Sequence, residues 1–552
     1  MAYDPTSLTQ YFGVDIELDG LTLHLSNQEI VLDDDTVYAA QLKSVSPLAR
    51  SAGALQDPRV VLPSMTLTAD NKEDPQTGVR FQDYLTDYEW ANAQITVRVG
   101  SSLAAADWSS IFVGRAKFPG GISSDNLTCT VRVNDARAKD GRNLPASIFT
   151  LATYANMETK SIGLPIPLVY GDWYTTAGNG EQLPCYQIDS TVGTGGRFKI
   201  SSRELKSIEA VYLNGASVSF TADLNNGQFT LNVAYVPATD VVTCNCRGAT
   251  SDLTSAGTLL QSGPDVLYDL LLNELDVAAG NIDSTAFSTW EGNLAASDYV
   301  RRWIGGEIIH SDTLIAELLN ECFADMRIEA AKYYPTYRVV AASTSVTLRD
   351  ADLLSQGGNS AIKHFAVHES PEDIYCNEVL ADYSYDPAND TYNERYLVED
   401  AAAVVRVGQR VRRTMTFNWL YLAGGAEDRA GREVYVFSSN VRMVDLGVDA
   451  SAVTYGPASQ FRLVYDRFVE VNDLGNPFQV RDIEVDPMTR RVTLTAWDML
   501  TLFSGTWTED DTVTWLTATA EQRSTKGFWA DASGYADTSG SPDAASQRYR
   551  WI

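Results

Sequence analysis

The chain is poor in the residues that carry most enzyme and metal chemistry. It has 4 histidines in 552 residues, at 24, 310, 364 and 368, and 6 cysteines scattered at 129, 185, 244, 246, 322 and 376. No CxxC pair is present, so neither a zinc knuckle nor a redox dithiol is written into the sequence. Cys244 and Cys246, one residue apart, would turn both sulfurs to one face of a strand, where a free thiol behaves as a small apolar group. There is no Walker A loop, no GxSxG elbow and no EF-hand spacing. VGTGGR at 192–197 has glycines without the dinucleotide-binding spacing and reads as a turn. His364 and His368 in HFAVHE could chelate a metal on a helix, but the zincin glutamate is missing and no third ligand stands out. A strand accounts for them as well. With 72 carboxylates, chance acid pairs are guaranteed, so Asp33-Asp34-Asp35 reads as a solvated turn, as does the calcium-loop-like DPANDTYNE at 386–394. Neither a catalytic residue nor a cofactor or metal site is expected.

Long apolar runs are also missing. None approaches the roughly 20 residues that cross a bilayer, and the opening MAYDPTSLTQ lacks the charged and apolar regions of a secretion signal. A soluble protein made in the cytoplasm is expected. Positive charge is scarce: 42 basic against 72 acidic residues give a net charge of −30. Affinity for phosphate needs clustered Lys and Arg, so a general nucleic-acid binder is excluded. A surface of this sign repels DNA; solubility is the plain and favoured reading of it, and a channel that DNA passes without sticking would also want this sign. RVGQRVRR stands against the trend, with Arg406, Arg410, Arg412 and Arg413 in eight residues. Because guanidinium forks to carboxylate, a subunit contact is favoured over DNA; a solvent-facing strand is the plain alternative.

What is present is enough apolar sequence for several cores, 44% of residues, and at this length three or four domains are expected. Residues 1–150 read as strands: VDIELDGLTLHLSN, QITVRVG and SDNLTCTVRVNDA alternate apolar and polar positions. Between them, Phe81, Tyr84, Leu85 and Tyr88 have helical spacing. Residues 151–258 are also β-rich, with a hairpin at Asn214-Gly215. In 259–355 two amphipathic helices follow, one behind Pro264 with Val266, Leu267, Leu270 and Leu271, the other after Ser311 as N-cap. They make a small α/β insertion. From 356 to 505 strands return in NEVLADYSYDP, VYVFSSNVRMVDL, FRLVYDRFVEV and RRVTLTAWDML. Phe112-Val113-Gly114-Arg115 precedes a strand ending at Asp135 much as Phe478-Gln479-Val480-Arg481 precedes one ending at Asp498, an echo that hints at a shared topology.

Residues 506–552 read as a flexible C-terminal arm, which from Gly527 to Ile552 is small and polar, with too little apolar area to offset its own ordering. Yet it carries Phe528, Trp529, Tyr549, Trp551 and Ile552. Aromatic anchors on a flexible arm suit a segment that orders only against a partner, such as another subunit; a mobile end ordered nowhere is the alternative.

Three stretches together resemble a known family. SIGLPIPLVYGDW at 161–173, RVVLPSMTLTADN followed by DYLTDYEWANAQITVRVG, and the closing GFWADASGYAD…RYRWI are similar to segments of phage and prophage tail-tip proteins, in the same order. The resemblance implies a tailed-phage baseplate hub or tail-tip hub: a mainly β, multidomain subunit with two tail-tube-like β-barrel domains and smaller domains between. It implies a homotrimer in the virion, whose six barrels match a hexameric tube. Its partners would be the distal tail or tail tube protein, tip or central fibre proteins and the tape-measure protein, with the genome passing through unbound. A distal-tail ring protein, a tail-borne cell-wall hydrolase and a receptor-binding component are the competing readings.

Overall fold

A computed structural model describes residues 11–53, 58, 63–73, 78–117, 119–135, 141–174, 181–251, 257–329, 332–338, 347–356, 359–369, 374–438, 441–449, 457–464, 476–486 and 491–498, with short stretches of the last 54 residues (508–509, 526–528, 530–531, 534–535 and 548–551). Strands make up 46% and helices 19% of the chain, so the fold is mainly β, and it is multidomain. Among the described residues no helix is long and apolar enough to cross a membrane.

The first sheet is built from β1 (Tyr11–Leu18), β2 (Leu21–Leu25), β5 (Leu42–Val45), β7 (Ser64–Asp70), β8 (Gln94–Gly100), β9 (Trp108–Ala116) and β11 (Thr128–Asp135), in the order β2-β1-β8-β9-β11-β7-β5. β10 (Ile122–Ser124) flanks β11, and β3 (Ile30–Val31) with β4 (Val37–Tyr38) forms a separate hairpin. Alternation of apolar residues, as in Met65, Leu67 and Ala69 of β7, puts one face inward. The two ends of the sheet meet: Ser26 N donates to Ala39 O (2.8 Å) and Leu42 N to Ser26 O (2.9 Å), so the sheet curls almost to a barrel. The predicted helix is α1 (Phe81–Asp87), where the Asp83 carboxylate accepts the Arg80 N–H at 2.8 Å.

Residues 183–247 form two four-stranded sheets, with Phe198 and Phe229 stacked 5.5 Å apart between ring centroids. The expected hairpin turns at Asn214 (φ 52°) and Gly215 (φ 80°), left-handed conformations that asparagine and glycine tolerate. Cys244 and Cys246 are both buried, and burial pushes the Cys244 thiol well above its ordinary range.

The predicted helices are α2 (Gly263–Asp269), continued by a π-helical turn to Glu274, and α4 (Ser311–Glu321); α3 (Ser284–Glu291) lies between them in sequence. Ser262 caps α2, its side chain accepting from Asp265 N. His310, not Ser311, caps α4: its ring accepts from Asp312 N at 3.3 Å and Ser311 is the first helical residue. An antiparallel hairpin, β12 (Ala324–Glu329) and β13 (Lys332–Tyr337), packs beside them.

Residues 374–441, expected to belong with the last β domain, pack instead with these helices. Here β15 (Glu378–Asp386) lies between β16 (Thr391–Glu399) and β17 (Arg412–Thr416). α5 (Ala401–Val407) joins β16 to β17, and α6 (Ala423–Phe437) packs against β15 and β16. Val379, Ala381, Ala430 and Val434 share one core with Leu267, Leu314, Leu318 and Trp290. The VYVF of VYVFSSNVRMVDL, read as strand, closes α6, and the strand begins at Arg442.

The last sheet contains β14 (Phe365–Glu369), β18 (Arg442–Asp449), β19 (Gln460–Val464), β20 (Asn476–Asp486) and β21 (Arg491–Asp498), in the order β19-β20-β21-β18-β14, with a short edge strand, Thr347–Arg349, parallel to β19. Numbered along the chain from one to five, these strands run 3-4-5-2-1. The first sheet's β5, β7, β8, β9 and β11 run in the same order, with every neighbouring pair antiparallel in both. The sequence echo falls on corresponding strands. Asp135 lies opposite Gly114 and Asp498 opposite Phe478, a shift of two residues that keeps each acid on the same face. The sheets are also joined. β6 (Leu48–Ser51), which lies in sequence between β5 and β7, pairs with β20 of the last sheet, and one continuous core runs from Val14 and Val131 to Phe461 and Leu494.

Candidate functional site

The four arginines singled out in the sequence surround the sheet formed by β15, β16 and β17. Asp400 caps α5 by accepting from Ala403 N (3.0 Å), and Gly408 (φ 79°) ends it in a left-handed turn, which returns the chain along β17. Pairing then sets the faces. Across the sheet, Glu378 is opposite Glu399 and Arg412, Leu380 opposite Leu397 and Thr414, and Asp382 opposite Arg395 and Thr416. These rows form the outer face, while Val379, Ala381, Tyr396, Val398 and Met415 face the core.

Two arginines are used inward. Arg413 reaches Glu433 and the Ile374 carbonyl, both at 2.6 Å, and lies over the Phe437 ring. Arg406 donates to the Ser438 carbonyl at 2.6 Å. The other two bridge the like-charged pair Glu378 and Glu399: Arg410 stands 2.9 Å from Glu399 and 3.4 Å from Glu378, and Arg412 also binds Glu378. One row further, beyond Leu380 and Leu397, Arg395 binds Asp382 at 2.5 Å. The carboxylates lie beneath their partners: Glu378 and Asp382 are 3% and 16% exposed, whereas Arg410, Arg412 and Arg395 are 60%, 53% and 66% exposed. Glu399 is 37% exposed beside Arg410, so the outer face carries three guanidiniums and one partly exposed carboxylate, with one apolar row between. Val405 on α5, 83% exposed, lies in the same segment.

The arm's aromatics are placed elsewhere. Strands 508–509, 548–551 and 526–528 form a three-stranded sheet in which Phe528 pairs with Tyr549 and Lys526 with Trp551. Trp529 and Ile552 lie outside the described residues. His364 and His368 sit at a strand; His368 Nε2 is 2.8 Å from Asp445, and His364 Nδ1 is 2.8 Å from Arg491. Burial, then the Arg491 charge, lowers the pKa of His364. The 386–394 loop closes the turn between β15 and β16, where Asp386 accepts from Ala388 N and Asn389. Among the described residues no three His, Cys, Asp or Glu side chains group as metal ligands.

Sequence reading missed the buried ionic groups that join the blocks. Asp325 of β12 accepts from Arg338 (2.9 and 3.1 Å) and meets Arg481 of β20 at 2.9 Å, while Arg481 also donates to the Ala52 and Gly53 carbonyls. Burial would raise the Asp325 carboxyl, but the two guanidiniums hold it below the ordinary range. Arg301 lies between the rings of Trp173 (4.5 Å) and Tyr421 (4.4 Å) and binds Glu181 at 2.7 Å. Glu321, at the end of α4, accepts the N–H groups of Asn418, Trp419 and Leu420 at 2.8–2.9 Å. Each set links residues far apart in sequence, so no local motif marks it.

No family model matches the chain, and no curated protein matches it. Among solved structures, the chain is similar to the 43 kDa tail protein of prophage MuSo2 from Shewanella oneidensis, with 11% identity, 89% of this chain and 99% of that one covered, and a TM-score of 0.39. It is similar to a tail protein from Neisseria meningitidis MC58, with 6% identity, 88% and 96% covered, and a TM-score of 0.41. The prophage tail protein gp18 from Listeria monocytogenes EGD-e is similar at 8% identity, with 88% and 94% covered and a TM-score of 0.31.

Proposed function

We propose that the chain is the structural hub subunit of a phage tail tip, without catalytic activity, and that three copies form a ring between the tail tube and the tip. The observation that carries this reading is the repeat: two sheets with one five-strand order, fused through a common core, with β6 from the first block added to the last sheet. A subunit with two such sheets supplies six to a trimer, which reconciles threefold with sixfold symmetry. The net charge of −30 supports a wall that DNA passes without sticking. The tape-measure, distal tail and tip proteins are its partners in this reading, and the virion tail is its location. Solution mass with negative-stain images tests it. A threefold ring at three times 60.5 kDa is expected. A sixfold ring would overturn the hub in favour of a distal-tail ring, and clearing of host cell wall in a zymogram would overturn the non-enzymatic reading.

A further inference from the structure

The β3–β4 hairpin has a surface that mirrors the arginine-edged face. Val31 and Val37 are opposite one another in the pairing register, and both are exposed, at 49% and 42%. Leu103 is exposed beside them, its carbonyl accepting from Asp33 N at 3.1 Å. The turn that joins the two strands is Asp33-Asp34-Asp35, all exposed. Its shape is fixed locally: Asp33 caps Ala105 N at 2.8 Å, Asp34 accepts from Thr36 N at 3.0 Å, and Asp35 takes φ 67°. The hairpin is thus an apolar pair tipped by three acids. On the outer face of β15–β17, Leu380 and Leu397 form an apolar pair bordered by outward guanidiniums, with Leu397 half exposed. Within one chain the two surfaces stay exposed.

We propose that the β3–β4 hairpin of one copy docks on the β15–β17 face of a second copy, the valines covering Leu380 and Leu397 and the aspartates meeting Arg395, Arg410 and Arg412. The argument is charge complementarity. In a chain of net charge −30, three guanidiniums on this face stand further out than the carboxylates they pair with, and the hairpin puts acids outermost around its own apolar pair. Unlike charges steer the encounter and fix the register, while the apolar pair supplies desolvated area. Because knob and socket are different surfaces, the contact is head-to-tail and closes into a ring when the rotation allows. It shares with the hub reading only the need for self-association.

The test is a mixed disulfide between full-length chains in a Cys185→Ser background, the other five cysteines being buried. One chain carries Val37→Cys and the other Leu397→Cys. Mixed under mild oxidant, they should form a double-mass band about tenfold faster than either chain alone, since docking raises the effective thiol concentration. Arg395→Glu with Arg410→Glu on the socket chain should slow that band severalfold, and added salt should do the same. No band above the single-chain controls overturns the contact, whatever the oligomeric state. A threefold ring without the band leaves the hub standing and removes this interface; a band without a ring does the reverse.

Discussion

Asp325 is wholly buried, and so are the guanidiniums of Arg338 and Arg481 that meet it. The net worth of such a cluster is small, because desolvation offsets most of the attraction. Removing one member is different, since it leaves buried charge uncompensated. Asp325→Asn keeps the shape and deletes the anion, so it should destabilise by about 3–5 kcal/mol, read as a lower urea midpoint; replacing Arg338 with Met in the same chain should recover part of that loss. An unchanged midpoint for Asp325→Asn would mean that the two cations are balanced elsewhere. Glu321 makes a second prediction, in pH. Burial pushes its carboxyl up to about 7 against three amide bonds that favour the ionised form, whereas its ordinary value is 4.5. Between these values the folded chain holds a proton that the unfolded chain has released, so its contribution to stability is present below 4.5 and is lost as pH rises through 7. The wild-type midpoint should therefore fall from about pH 5 to about pH 8 more steeply than that of Glu321→Gln, which cannot titrate. Parallel slopes for the two would show that Glu321 is ionised throughout.

At the scale of elements, what was legible followed from local periodicity. Alternation located the strands of the first sheet, helical spacing located α1, α2 and α4, and Asn214-Gly215 located a hairpin. The misses have physical causes. Ser311 is the better cap by residue preference, yet the ring of His310 takes the Asp312 N–H instead and moves the boundary by one residue. Val434-Tyr435-Val436-Phe437 has the composition of a strand, but α6 sets its buried residues against β15 and β16, and tertiary packing overrides propensity. The outer face of β15–β17 was half legible: RVGQRVRR announced the arginines, but their partners Glu378, Glu399 and Glu433 become neighbours only through pairing across the sheet and packing of α6. The strand-order repeat was audible only as a four-residue echo. Its consequence is mechanical, because Leu48 of β6 is buried in the core common to both sheets. Leu48→Ala should cost about 2–5 kcal/mol, and calorimetry should show both sheets melting together at a lower temperature. Two separate transitions, only one of them shifted, would mean that the sheets are independent units.

For the molecule as a whole, the question is whether the last 47 residues serve the fold or the assembly. In the described part of that stretch, strands 508–509, 526–528 and 548–551 pair with one another and strands 530–531 and 534–535 with each other; none pairs with the first sheet, the last sheet or β15–β17. The body thus loses no described sheet pairing if the stretch is removed, and both ends of the common core, Val14 and Leu494, lie outside it. Phe528, Tyr549 and Trp551 are also a large aromatic content for a segment otherwise rich in Ser, Ala, Gly and Asp. Aromatic side chains of this kind dominate contacts between proteins. A chain truncated after residue 505 should therefore melt within a few degrees of the full chain, which for a protein of this size corresponds to less than about 2 kcal/mol. It should nonetheless assemble poorly, with the oligomer fraction at a given concentration falling while the monomer stays folded. Full assembly by the truncated chain would show that the stretch is dispensable for self-association and would redirect the search for its partner to other proteins. A large drop in melting temperature would instead place it in the fold of the body.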